Sequence, residues 1–552
     1  MKPAWQTLAL ILAWAAACVP LARGAVFFVA PDGTGDFPTI QAAVDAAQPG
    51  DIVELGDGVF SGAGNRDIDY RAKSITIRSR SDDPTACTID CGGSGGELHR
   101  GFHIHGTPAA RLRGVTIRDG NMNAMQGSGG AIQCLGASAT IENVIAEENW
   151  GEGGSGLRCS YGGPVAVAGC LFRNNTGGPA ISTYGCALTV TATACENHPA
   201  GGLSAGDADV VLDRCAFRAN HAEVNGGGLA VAGGSVSATD CTFECNQCDA
   251  IAMPRSGGGG ACVSGAAAVF ERCHFIGNRV RFESPFGFGG GLYARESNVA
   301  VRSCSFRDNQ ALYGGGAGLD GCDPSLEQCS LTGNQAPYGG GALCLRDASP
   351  SVTHTIMAFN LNGDAVWCLM STETPELTCC DIYGNAGGDW IGCIEGQQSG
   401  PGNLCLDPLF CDLAAGILNL MPESPCAPLS PWNPECGLIG AFPVGCDPQS
   451  IAALEPAPAS PHLTAQPNPL RGVTRLAFRV LPARAGERVR LSIHDLTGRC
   501  VRTLADGALP AGDPAWVWRG DDDRGGALPA GVYFGRLTLN GQPATRALLL
   551  VR

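Results

Sequence analysis

Cys304-Ser305-Phe306-Arg307-Asp308-Asn309, followed after a short loop by Gly314-Gly315-Gly316 and an apolar run to Leu319, decides the fold. The next copy reads Cys329-Ser330-Leu331-Thr332-Gly333-Asn334, then Gly339-Gly340-Gly341-Ala342-Leu343. Working outward, the pattern recurs between Ile117 and Asn385. Its anchors are Asn149, Asn175, Asn197, Asn220, Asn246, Asn278, Asn309, Asn334, Asn360 and Asn385, spaced 22 to 32 residues apart. A repeat in this range denotes a solenoid or a propeller, and a propeller blade needs ~40 residues or more. Each copy holds two short runs of period-2 alternation between Gly-rich turns, so it is expected to be one coil of a parallel β-helix. Parallel crossovers strongly prefer the right hand. Asn tolerates the left-handed backbone of a sharp corner and can stack as an amide ladder, and the Gly-Gly pairs mark a second corner.

Alternation assigns the faces. In Cys-x-Phe-x-x-Asn the Cys and Phe are two apart and both point inward. The inward row is Cys170, Cys215, Cys241, Cys273, Cys304, Cys329 and Cys380, with Val144, Ala192 and Thr355 as small replacements. Stacked inward thiols have parallel Cβ vectors, poor geometry for a disulfide, and are expected to be free. Disulfides are expected among Cys87, Cys91, Cys322, Cys344, Cys393, Cys405, Cys411, Cys426, Cys436 and Cys446. After the glycines the residues beside the inward apolar row face outward. Among them Tyr293, Asp320 and Trp367, with Arg295 and Arg346 at the next outward positions, form a candidate ligand-contact face.

The start of the chain reads as an export signal: Lys2, an apolar run from Leu8 to Val19, and small residues at Ala22 and Gly24. The expected organisation is a signal peptide over 1–24, the β-helix with its caps over 25–446, a Pro/Ala-rich linker over 447–462 and a small β-sandwich over 463–552. The formal net charge of −16 argues against nucleic acid and other polyanions. The 28 Cys suit an oxidising compartment. A bacterial, secreted or cell-surface monomer is expected, with no transmembrane segment once the signal is removed.

Val29-Ala30-Pro31-Asp32-Gly33-Thr34-Gly35-Asp36-Phe37-Pro38-Thr39-Ile40-Gln41 and the following Ala42–Ala47 resemble the N-terminal entry of pectin-lyase-like β-helices. Ile40, Ala43, Val44 and Ala47 make an i, i+3, i+4, i+7 stripe, predicting a short helix that caps the first coil. Gly129-Gly130-Ala131-Ile132 and the repeated Phe-x-x-Asn resemble autotransporter passenger domains, many of them adhesins. Leu406–Asp412 and Ser424–Ala427 resemble the closing segment of bacterial β-helix proteins, which implies a wrap over the last coil. Asp495–Arg499, Gly520-Asp521-Asp522, Pro529–Phe534 and the terminal Leu549–Arg552 resemble both type-IX-secretion sorting domains and the Ig-like domain of flagellar hook-cap proteins.

Catalytic residues are not identifiable. The polygalacturonase signatures Asn-Thr-Asp and Gly-His-Gly and the pectin methylesterase segment Gly-x-x-Asp-Phe-Ile-Phe-Gly are missing from the sequence. No cofactor or metal is assigned; calcium, for a pectate-lyase-like site or at Asp521-Asp522-Asp523, has no supporting ligand pattern. Cys241, Cys245 and Cys248 have zinc-like spacing, but Cys241 belongs to the packed row. His99, His103 and His105 are the densest histidine cluster, with His103 and His105 on one face of a strand; a metal or general-base role is weighed there against the plainer and preferred reading of a partly exposed strand face. Two readings follow: a displayed adhesin-like or structural protein that binds extracellular glycans or a partner surface, and a divergent polysaccharide lyase or hydrolase.

Overall fold

The computed structural model describes residues 24–446 except 95, 123–128, 251–255, 282–286 and 370–373. Beyond them it describes 464–466, 473–478, 486, 488–495, 499–509, 514–539 and 542–551. The expected signal peptide and linker fall outside the described residues, apart from Gly24.

Parallel strands stack coil upon coil in three faces. The first runs from Ile68–Asp69 through Phe102–His105 and Leu157–Ser160 to Val366–Cys368; the second from Val26–Val29 through Ala139–Glu142 to Glu376–Thr378. The third face is a 13-stranded sheet from Gly58–Ser61 to Asp381–Tyr383. The chain is therefore a parallel β-solenoid of about thirteen turns. Two strands, Leu203–Asp213 and Leu229–Thr239, run unbroken through the first two faces. Ahead of the coils, α1 (Ile40–Ala46) buries Ile40, Ala43 and Val44 over the first coil, and Thr39 Oγ1 caps it by accepting from the Ala42 N–H.

The inward positions follow the alternation. Phe217, Phe243, Phe275 and Phe306 stack nearly parallel at 5.2, 4.8 and 4.6 Å between centroids. The seven row cysteines are buried and free. Their thiols donate to main-chain carbonyls, as Cys304 does to Arg302 at 3.2 Å, and burial pushes the Cys170 and Cys329 thiols up to about 12. They are inert packing groups. One member of the row differs from expectation: Thr193, not Ala192, fills the slot, its Oγ1 accepting from the Cys170 N–H. Ala192 takes the left-handed corner instead, with φ 46°.

The asparagine ladder is a chain of buried amides. Asn278 donates its backbone N–H and its side-chain amide to Asn309 Oδ1; Asn309 does the same to Asn334, and the series ends on Asp389 below Asn385. Two corrections apply. The left-handed residue is the one before each ladder residue, such as Asp308 or Gly333, so the Asn serves as a linker and not as the bent residue. Asn197 is itself left-handed, and His198 takes its ladder slot, with Nδ1 3.2 Å from the Asn175 carbonyl and its N–H donated to Asn220 Oδ1. At the glycine corner Gly314 has φ 65°, and a Cβ on Gly315 would lie 2.6 Å from the Gln335 nitrogen of the next coil. Glycine is required there by both conformation and space.

Outside, the third face carries a charge ladder. Asp90, Arg118, Glu147, Arg173, Glu196, Arg218 and Glu244 are successive register partners with alternating sign. Arg118 pairs with Asp90 at 2.8 Å, and Arg218 sits 3.2 Å from both Glu196 and Glu244. Over the later coils the same face is covered. Residues 404–446 do more than close the last coil, as expected from sequence; they fold back along it. Phe410, Leu418, Leu420 and Ile439 bury Ile356 and Ala358, and further up Ala441 donates to Ser330 Oγ and Phe442 stacks on His274. Disulfides Cys379–Cys436 and Cys411–Cys446 hold this wrap, and Cys368–Cys393 ties the last first-face strand to the turn at Gly392–Ile394. Of the ten cysteines expected to pair, only Cys393, Cys411, Cys436 and Cys446 do so, because Cys87, Cys91, Cys322, Cys344 and Cys426 are buried packing groups and Cys405 stays free.

The C-terminal residues form two antiparallel sheets, of three strands (Thr464–Gln466, Thr474–Ala477, Ala515–Trp518) and four (Arg488–His494, Cys500–Ala508, Gly531–Leu539, Gln542–Leu550). Leu476, Trp518, Val489, Leu491 and Leu537 are buried between them.

Candidate functional site on the first face

Each first-face strand presents two outward positions, which the register threads into two columns along the axis. The first column passes through Asp69, His103, Gln133, Arg158 and Ser182, and reaches Cys262, Tyr293, Gly318, Cys344 and Trp367. The second passes through His105, Leu135, Ser160 and Tyr184, and ends in Arg295, Asp320 and Arg346. Asp320 therefore lies between the two arginines, one position beyond the column in which the sequence reading set it; Gly318 is the partner of Tyr293.

The structure brings Tyr293, Asp320 and Arg346 together. Tyr293 Oη donates to Asp320 Oδ2 at 2.9 Å, and Arg346 Nε stands 3.3 Å from Asp320 Oδ1. Burial, and then the Asp320 charge, push the Tyr293 phenol well above its ordinary value. Arg295 pairs with Glu296 at 3.1 Å.

The expected exposure of this group is corrected. Tyr293 is 1% exposed and Asp320 2%, whereas Trp367 is 38% exposed. A wall covers the first two. Phe288 stacks on Tyr293 at 5.7 Å and on Tyr313 at 5.1 Å, and Tyr313 meets Tyr338 at 5.7 Å. Phe288, Tyr313 and Gly339 are bridged as successive coil partners, so the wall is itself a stack. Phe288 belongs to one of the two longest repeats, 31 residues between Asn278 and Asn309; that extra length was the available sign of a wall. Trp367 lies against Gly339, where an added Cβ would come within 2.5 Å of the indole.

Sequence reasoning missed an exposed aromatic pair. Tyr184, on the second column, and Tyr161, at the corner one coil earlier, meet edge to face at 5.5 Å and are 44% and 69% exposed. The Asp207 carboxylate raises the Tyr184 phenol. Between this pair and the walled group the columns carry small side chains: Ser182, Ser204 and Ala230 in one, Gly206 and Ala232 in the other. The pattern was readable, since Tyr184 stands two residues after the outward Ser182, the next outward position of its strand.

At the other end of the columns Asp69, His103 and His105 converge. His105 Nε2 is 2.8 Å from Asp69 Oδ1, and the two imidazole centroids are 4.8 Å apart. Burial, with Arg100 nearby, lowers the His103 imidazole. His99 lies apart from them and pairs with Asp67 at 2.7 Å. The zinc-like cysteine trio is dispersed: Cys241 is in the core, Cys248 in a separate small cluster and Cys245 exposed. Asp522 closes its own turn by accepting from the Arg524 and Gly526 N–H groups. Among the described residues no helix is long and apolar enough to cross a membrane.

No curated protein matches the chain. Among solved structures, the PL6 family alginate lyase AlyGC is 11% identical over 81% of this chain and 60% of its own, with a TM-score of 0.41. The surface protein and adhesin PfbA of Streptococcus pneumoniae is 12% identical over 61% of this chain and 94% of its own, TM-score 0.27. The tailspike receptor binding domain of Siphovirus 9NA is 10% identical over 94% and 98%, TM-score 0.30. The chain spans about 60% of the length of the alginate lyase. Residues 180–356 match the family model of the right handed beta helix region, and residues 465–540 match that of the FlgD Ig-like domain. The chain is thus a parallel β-solenoid of the right-handed β-helix type carrying a C-terminal FlgD-like Ig domain.

Proposed function

We propose that this protein is exported by its first 24 residues and displayed at the cell surface, where the first face of its solenoid binds an extracellular polysaccharide laid along the axis. The observation that carries the reading is the exposed aromatic side chains at two places on one outward face: Tyr161 with Tyr184, and Trp367 with Tyr338 nearby. Seven coil steps separate Tyr184 from Trp367, ~34 Å at strand spacing. Aromatic faces supply apolar area to sugar C–H groups, and the small side chains between Tyr184 and the wall let a chain lie close there. Arg295 and Arg346, at the rim of the wall, supply charge-assisted hydrogen bonds to hydroxyls or carboxylates.

Binding is favoured over lysis by the state of Tyr293. A general base needs a pKa near the working pH, whereas Tyr293 is driven upward by burial and by Asp320 and is roofed by Phe288. In this reading Tyr293 and Asp320 position Arg346. Residues 447–462 link the solenoid to residues 463–552, which act in sorting or display.

A glycan array on the intact chain selects the ligand, and titration calorimetry then measures Tyr184→Ala and Trp367→Ala. Each is expected to weaken binding by roughly fivefold, the ~1 kcal/mol of one aromatic contact, with unchanged urea midpoints. Unaltered affinity in the double variant sinks the face assignment. Unsaturated products or new reducing ends from the selected glycan establish the lyase or hydrolase reading instead.

A further inference from the structure

We propose that Asp69, His103 and His105 form a binding site for a divalent first-row transition metal, zinc in the first instance. Register creates the site. Asp69 and His103 are direct partners on adjacent strands of the first face. His105 is two residues beyond His103 and shares its side of the sheet. All three ligands come from stacked strands, the rigid kind of support a metal site needs.

The distances fit closure on an ion. The ligand atoms of the three residues all lie within 4.8 Å of one another. A tetrahedral ion with bonds of ~2.0–2.2 Å needs its ligands ~3.3–3.6 Å apart. Rotations about the side-chain torsions cover the difference, and the hydrogen bond from His105 to Asp69 gives way to two bonds to the metal.

The surroundings hold the carboxylate in place. Asp69 Oδ1 accepts from the Arg71 N–H at 2.7 Å, and Arg71 Nη1 lies 3.2 Å from Oδ2. Gln41 of α1 clamps the Asp69 backbone from both sides, accepting its N–H at 2.8 Å and donating to its carbonyl at 3.1 Å. The Arg71 charge opposes a cation, but Arg71 is shared with Asp45 at 3.2 Å. His105 and Asp69 keep 36% and 27% of their side-chain surface open, so an ion can enter and a fourth position faces solvent.

Ligand chemistry selects the metal. Two imidazoles and one carboxylate suit zinc, nickel or copper; calcium and magnesium take oxygen ligands. This differs from the calcium considered from sequence for a carboxylate site and from the zinc considered at the cysteine trio, and does not depend on the polysaccharide reading.

The test is titration of the intact, chelator-treated chain with cobalt(II) and zinc(II), comparing it with His103→Gln, His105→Gln and Asp69→Asn. We expect one ion per chain, a cobalt spectrum without a thiolate charge-transfer band, and affinity reduced by more than about tenfold in each variant. A thiolate band places the ion on the exposed Cys245 or Cys500 and overturns the proposal. So does unchanged affinity in His103→Gln, or no uptake at millimolar metal. Melting curves of the metal-free variants verify that they fold, so that lost binding reports lost ligands.

Discussion

The first and third faces are built on the same coils, yet their outer sides are finished in opposite ways. On the third face the charges and most of the apolar groups are answered within the chain. From Asp90 to Glu244 each charge has a partner of opposite sign on the next coil, and from His274 onward the C-terminal wrap covers the surface. The first face is walled over Cys262 to Cys344 but leaves aromatics exposed on either side of the wall, at Tyr184 and Trp367. A face that satisfies its own polar and apolar groups has nothing left to offer a ligand. The difference favours the first face for the proposed binding, although both faces arise from one repeat.

The sharpest way to break the comparison is to charge each face at a matched outward position. Ile356 is fully buried on the third face beneath Leu418, Ile439 and Phe410. Ile356→Asp leaves a carboxylate without a partner there and is expected to cost about 3–5 kcal/mol or to release the wrap. Ser204→Asp, half-buried on the first face, should cost under about 1 kcal/mol. Urea denaturation measures both, and limited proteolysis of residues 404–446 reports release. Equal losses at the two positions would mean that the first face is covered as well.

How much of this was legible in the sequence follows from range. The inward Phe and Cys rows and the asparagine ladder depend on contacts that recur at every repeat, so the periodicity shows them directly. Errors of one residue arose where a repeat is irregular, as at Ala192 against Thr193 and Asn197 against His198. The burial of Tyr293 and Asp320 was legible only as the extra length of the repeat that carries Phe288. It depends on Phe288 and Tyr313, successive coil partners that lie outside the Cys-x-Phe-x-x-Asn and Gly-Gly positions from which the faces were read. Residues 404–446 likewise lie outside the repeat, and nothing local told that they return along the third face.

A second effect comes from inside the wrap and depends on pH. Asp381 is buried on the third face, where its carboxylate accepts from Cys426 Sγ at 3.1 Å and from the Leu406 N–H at 3.1 Å. Burial pushes its carboxyl from the ordinary 3.8 up to about 7, with Asp389 and Asp407 adding in the same direction and the two hydrogen bonds opposing. The folded-state pKa is raised, so the folded chain favours the proton. The resulting stability is complete below about pH 4 and is lost as pH rises toward 7. The change is on the order of 2–4 kcal/mol. Asp381→Asn should flatten that window in urea melts at pH 4.5 and pH 8. A slope that survives the substitution would assign it to another group.

The smallest expected effect is at the charge ladder, and it sharpens the comparison most finely. Arg218 sits between Glu196 and Glu244 at 3.2 Å from each, with 39% of its side chain exposed. Exposed pairs return little, because water screens the attraction and two long side chains lose freedom. Arg218→Ala should therefore cost at most about 1 kcal/mol in urea melts, and less at high salt. Its larger consequence is chemical. Removing the cation leaves the carboxylates of Glu196 and Glu244 two coils apart, ~10 Å, without the charge between them. The third face would then carry uncompensated negative charge and should shift the protein's elution on an anion exchanger, while polysaccharide binding at Tyr184 and Trp367 stays the same. A loss of that binding would show that the two faces act as one surface, and the division of labour between them would fall.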